Sequence, residues 1–150
     1  PFNLYNYSNM ANSPVSLKTL LVASKDTEVD FPGYSDFKVK VAFMSRETLV
    51  NIRKKATKTS FKNRQLVEEV NDDLFLQMYA DHAIKGWSGL KMSYLNRLAP
   101  VDLTGQDPED FLEYTPENAL FLMKNSADFD GFISETVNDL GNFQKSSNMK

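Results

Sequence analysis

With 150 residues, 41% of them apolar, 25% charged and 11 phenylalanines, the chain has the length and aromatic content of one folded domain, which excludes global disorder. No cysteine is present, which excludes disulfides, thiolate metal sites and a cysteine nucleophile. The formal net charge of -3 conceals a segregation, because residues 37–64 balance at roughly +8 and residues 101–140 at roughly -9.

Residues 1–13, rich in Asn, Ser and Tyr without an apolar period, read as a flexible tail and lack the basic flank and apolar stretch of an export signal. Pro14 to Ala23 is apolar enough to dock and reads as extended. Glu28–Phe31 and Phe37–Met44 flank Pro32, Gly33 and Asp36, the chemistry of a hairpin turn, and in Phe37-Lys38-Val39-Lys40-Val41 every second side chain is apolar. Ser45 is a helix N-cap followed by Glu47 in the first turn and by Lys54, Lys55 and Lys58 towards the negative end. Thr59–Glu69 has no apolar period and is expected to be a polar loop. Asn71 or Asp72 caps a helix carrying Leu74, Phe75, Met78, Tyr79, His82 and Ala83 on one face, and Gly86 is its expected stop. Gly86-Trp87-Ser88-Gly89-Leu90 is expected to turn the chain. Met92, Leu95 and Leu98 suit a short helix, and Pro100–Pro108 a loop. Thr115-Pro116-Glu117 sets a capping hydroxyl before a proline at the first helical position. A last amphipathic helix carries Phe129, Phe132, Ile133, Val137, Leu140 and Phe143, spaced three or four apart, before a frayed tail at 144–150. The fold class expected is α+β, mainly α: an N-terminal β-hairpin followed by a bundle of about four to five helices, in one domain spanning 14–143. The longest nearly uncharged apolar stretch, Ala119 to Met123, is far below the ~20 residues a membrane helix needs.

Chemistry is harder to place. His82 is the only histidine, so two imidazoles cannot cooperate, and on the apolar side of its helix it reads as a partly buried structural residue. Asp72, Asp73 and Asp81 lack the EF-hand order of oxygen ligands and read as capping and solvated carboxylates. Gly86 and Gly89 match no phosphate-binding motif and read as letting backbones approach around Trp87. Trp87 is either a core anchor or a partner hot spot. No motif assembles a nucleophile, a base and an orienting group, so the expectation is a non-enzyme with no catalytic, cofactor or metal residues. The basic residues 53–64 could neutralise phosphates, but Phe61 alone is available to stack on a base, which sets a nucleic-acid module third among the readings.

The order of segments resembles the tail assembly chaperones of long-tailed bacteriophages of the siphophage type. The resemblance runs from Val29-Asp30-Phe31-Pro32-Gly33 and Phe37-Lys38-Val39-Lys40-Val41-Ala42 into Ser45-Arg46-Glu47. It continues through Asp72-Asp73-Leu74-Phe75 and Ile84-Lys85-Gly86-Trp87-Ser88-Gly89-Leu90, and ends at Thr115-Pro116-Glu117-Asn118-Ala119-Leu120 and the Phe-bearing helix. It implies a protein acting in the cytoplasm of the infected host that coats the tape measure protein, keeps its helices soluble, recruits tail tube subunits, and is absent from the mature virion. In many such phages a ribosomal frameshift appends a second domain, and the ending Gln144–Lys150 would fit a short form. The alternative is a minor structural tail or head-tail joining protein retained in the particle.

Two surfaces are candidates for partner contact. Trp87, Leu90 and the stripe Phe129, Phe132, Ile133, Val137, Leu140 and Phe143 would accept an amphipathic client helix, unless the stripe is simply core. Arg53, Lys54, Lys55 and Lys58 of one copy could meet Asp107, Glu109, Asp110 and Glu113 of the next, building a homo-oligomeric ring or spiral, with intramolecular pairing of the two halves as the other reading.

Overall fold

The computed structural model describes residues 14–144. They form, in chain order, α1 (Leu17–Leu20), β1 (Thr27–Asp30), β2 (Lys38–Val41), α2 (Arg46–Ala56), β3 (Thr57–Lys62), β4 (Gln65–Val70), α3 (Asp72–Ala83), β5 (Ile84–Ser88), α4 (Met92–Leu98), α5 (Pro116–Asn125), α6 (Ala127–Asn138) and a terminal 3-10 turn (Leu140–Phe143). The class is α+β, mainly α, as the sequence pattern predicts. The expected tail at 1–13, and all but Gln144 of the one expected at 144–150, lie outside the described residues.

β1 and β2 pair antiparallel with Val29 opposite Val39, and the expected hairpin is present. A third strand joins it: β5 pairs antiparallel with β2, with Trp87 opposite Val39, so the sheet order is β1-β2-β5. Val39 and Val41 are fully buried while Lys40 points to solvent, the two-residue period of a half-covered sheet. Helices α5 and α6 supply Leu122, Phe129, Ile133 and Val137 to the same core. Phe31 stacks on Phe37 at 5.1 Å and on Phe129 at 6.0 Å between ring centres, and Trp87 meets Phe129 edge-on at 6.2 Å. These aromatic contacts lock α6 onto the sheet, each adding to what burial alone contributes.

Local capping sets the helix starts. The side chains of Ser45, Asn71, Thr115 and Ser126 accept from the backbone N–H of Thr48, Leu74, Asn118 and Phe129 respectively. Ser126 is buried yet satisfied twice, because its own N–H donates to Leu122 O at the end of α5 while its hydroxyl oxygen caps α6. One residue thus closes one helix and opens the next.

Several sequence expectations are corrected. Residues 57–70 form a second hairpin rather than a polar loop, with Phe61 opposite Leu66 and Lys58 opposite Glu69. Its turn residues Asn63 and Arg64 both have positive φ (52° and 66°), the geometry of a two-residue hairpin turn. The strands were hidden because both of their faces are largely wet, so no apolar alternation marks them. The helix expected to reach Gly86 ends at Ala83, because Ile84 is fully buried in β5 beside Val41. The segment 86–90 is accordingly strand and strand exit, not a turn. Gly89 alone carries positive φ (76°), and a Cβ there would overlap the backbone carbonyl of Asp36. Pro14–Ala23 is neither docked nor fully extended: it carries the single turn α1 and stays exposed. The last helix stops at Asn138, where Asp139 caps the 3-10 turn by accepting from Gly141 N–H.

Candidate functional site

The predicted client-binding stripe is spent on the core. Leu90, Phe129, Ile133 and Val137 are fully buried, Phe143 is buried against Phe43, and Phe132 is half-buried against Phe31. Leu140 alone of that stripe is exposed. Trp87 is half-buried: its indole N–H donates to Leu112 O at 2.9 Å and its ring meets Tyr114 edge-on, so it anchors the 111–114 segment to β5. His82 Nε2 lies 3.0 Å from Phe43 O, and since a carbonyl only accepts, that nitrogen carries the proton and ties α3 to the end of β2.

The charged candidates stand apart from one another. Among the described residues the ion pairs are Lys38–Asp30, Lys62–Glu69, Lys91–Glu109 and Lys124–Asp73, and none joins Arg53, Lys54, Lys55 or Lys58 to the 107–113 loop. Arg53 lies over the Phe75 ring at 5.2 Å, a cation-π contact across α2 and α3. Glu109 is held by Lys91, while Asp107, Asp110 and Glu113 are solvent-facing. The two halves are therefore not neutralised by mutual pairing within the described chain.

Open apolar surface lies where the amphipathic pattern did not point. On the second hairpin, Phe61 and Leu66 face each other across the strands at 69% and 74% exposure. A cleft of about 240 Å³ runs between α4, α5 and the 101–112 loop, lined by Leu95, Val101, Leu112, Asn118, Phe121 and Leu122. Phe111 stands exposed beside its Leu112 wall. A second hollow of about 280 Å³ between α2, α3 and α6 is lined by polar as well as apolar groups, among them Arg53, Tyr79, Asp130 and Ser134. Burial there pushes the Tyr79 hydroxyl pKa up, an effect opposed by its hydrogen bond to Ser134. Both hollows fall below the roughly 300–1,000 Å³ of typical small-molecule sites and are better matched to side chains than to a cofactor. No three His, Asp or Glu side chains converge to hold a metal ion among the described residues, nor is any described helix long and apolar enough to cross a membrane.

Phe61, Leu66, Phe111 and Phe121 are thus the surface residues that pattern reading missed. Isolation was a signal only for Phe61, which stands between Ser60 and Lys62, whereas Phe121 lies within the apolar run Ala119 to Met123, where pattern does not separate a surface side chain from a core one.

A family model described as YdaY prophage protein matches residues 33–150, from the β1–β2 turn onward. The chain belongs to the YdaY prophage protein family. Its origin is therefore in a phage, and every surface described above except α1 and its flanks falls within the YdaY-matched region. No curated protein and no solved structure matches the chain.

Proposed function

We propose that this prophage protein is a tail assembly chaperone that binds the tape measure protein, keeps its apolar helices soluble, and helps recruit tail tube subunits in the host cytoplasm. It acts by binding and not by chemistry, and it leaves before the particle is complete. The observation that carries this reading is the β3–β4 arm. Two large apolar side chains, Phe61 and Leu66, are paired on an arm that is otherwise polar except for Val67 and Val70, in a domain whose core is already filled. An apolar pair held clear of the core is available to a client and can be covered reversibly. The phage origin of the family and the resemblance in segment order support the same partner.

Co-expression with the tape measure protein of the same prophage tests the proposal. The expected result is a soluble complex, with recovery reduced about tenfold by the double change Phe61→Ser and Leu66→Ser in a variant whose unfolding curve is unchanged. A tape measure protein that precipitates equally with and without this chain overturns the proposal. Mass spectrometry of purified particles gives a second arm: absence is expected, and stoichiometric presence would establish a structural tail or head-tail joining subunit instead.

A further inference from the structure

We infer that the exposed segment Val15–Val22 of one copy docks into the cleft between α4 and α5 of a second copy, so that the chain associates head to tail through an exchanged arm.

The segment and the cleft have matching chemistry. Val15, Leu17, Leu20, Leu21 and Val22 are each at least 61% exposed, five large aliphatic side chains within eight residues. Their one ordered turn is held by Thr19, whose hydroxyl and N–H both donate to Ser16 O. Such a run is far denser in exposed apolar groups than a solvated linker, whose residues gain nothing from being aliphatic. The cleft is walled by Leu95, Val101, Leu112, Phe121 and Leu122, and its volume of about 240 Å³ suits the insertion of aliphatic side chains rather than a ligand molecule.

Charge selects the same pairing. Between Pro14 and Lys25 the segment carries Lys18 and Lys25 and no carboxylate. The chain that builds the cleft wall carries Asp107, Glu109, Asp110, Glu113 and Glu117, of which Glu109 is the one with an ion-pair partner among the described residues. A basic aliphatic segment entering an apolar groove with an acidic border gains from both terms, and the reverse placement beside the Lys-rich end of α2 would gain from neither.

Topology favours a neighbour's cleft over the segment's own. The segment leaves the sheet through β1, at one edge of the order β1-β2-β5. The cleft begins beyond the other edge, where Lys91 bridges to Phe111 and Leu112 N–H donates to Leu90 O. At about 4.8 Å per inter-strand spacing, the two spacings from β1 to β5 put roughly 10 Å of sheet between them. Donor and acceptor surfaces thus lie at opposite edges of one molecule, a heterologous arrangement whose repetition gives rings or open chains.

Sedimentation of the full chain across a range of concentrations, at about 0.1 M and 1 M salt, tests the inference. The expected result is concentration-dependent association, weakened at high salt. The double change Leu17→Ser and Leu21→Ser, or the single change Phe121→Asp, should each raise the dissociation constant at least tenfold. Because these side chains are exposed or half-exposed, unfolding curves should stay close to that of the parent chain. Mixing the two variants supplies one intact segment and one intact cleft, and should restore association as dimers that grow no further. A chain that is monomeric at every concentration overturns the inference, as do variants that associate like the parent or a mixture that restores nothing. None of these outcomes depends on whether the tape measure protein is bound, so failure here leaves the chaperone proposal standing on its own test.

Discussion

Replacing Gly89 by Ala isolates the contact on which the three-stranded sheet closes. Gly89 has φ +76°, and a Cβ built there would overlap the Asp36 carbonyl, with the Phe37 Cα only 3.4 Å away. Phe37 is fully buried and stacked on Phe31, so the Asp36–Phe37 link cannot retreat without disturbing the core. Left-handed backbone strain costs about 1–2 kcal/mol for a residue with a Cβ. Forcing the backbone apart adds ~1–3 kcal/mol, as overpacking does elsewhere in protein cores. Gly105 supplies the control. Its φ is +84° with nothing within 4 Å of the added Cβ, so Gly105→Ala bears the strain alone. Urea denaturation followed by tryptophan fluorescence should show Gly89→Ala destabilised by about 2–5 kcal/mol and Gly105→Ala by only about 1–2 kcal/mol. In a thermal scan each kcal/mol is worth about 2–4 °C for a chain of this length. If the two variants unfold together, the close approach of β5 to the β1–β2 turn is not what the glycine provides, and the reasoning fails.

Two further outcomes follow from the core and from the second hollow. Phe129→Ala removes the ring between Phe31 and Trp87 and should cost about 3–5 kcal/mol by chemical denaturation, while a loss under ~1 kcal/mol would mean that α6 is not anchored there. Burial raises the Tyr79 pKa above its ordinary value of 10.0, so the folded chain retains a proton that the unfolded chain releases. That stability is fully present below the unfolded value and is lost as pH rises through the folded one. Tyr79→Phe should therefore lose less of its urea midpoint than the parent between about pH 9 and pH 11, and equal losses in both proteins would refute the assignment.

What could be read from the sequence was local. Ser45, Asn71 and the Thr115-Pro116 pair mark helix starts because a cap acts within three residues of itself. The alternation of Val39 and Val41 with lysines marks β2 because that strand has one covered face. β5 escaped notice because Ile84-Lys85-Gly86-Trp87-Ser88 has no clean period, and its register with β2 shifts at Lys40 and Val41 to accommodate an irregular pairing. The β3–β4 hairpin escaped because neither strand faces a core. The stripe on α6 was visible, but amphipathicity says only that a face will be covered. The structure covers it with the chain's own sheet, through Phe31 and Trp87 from distant segments.

The base of the β3–β4 arm, below the Thr57–Val70 pair, is closed by a backbone bond in which Asn71 N–H donates to Ala56 O at 2.8 Å. The end of α2 and the start of α3 are therefore already neighbours before the arm begins, so its fourteen-residue excursion is topologically a detachable graft on a helical hairpin. Length and sequence beyond that bond are free to drift with whatever surface the arm must greet, while the helices beneath keep their packing, and a short linker in place of 57–70 should leave a folded domain stripped of its reach.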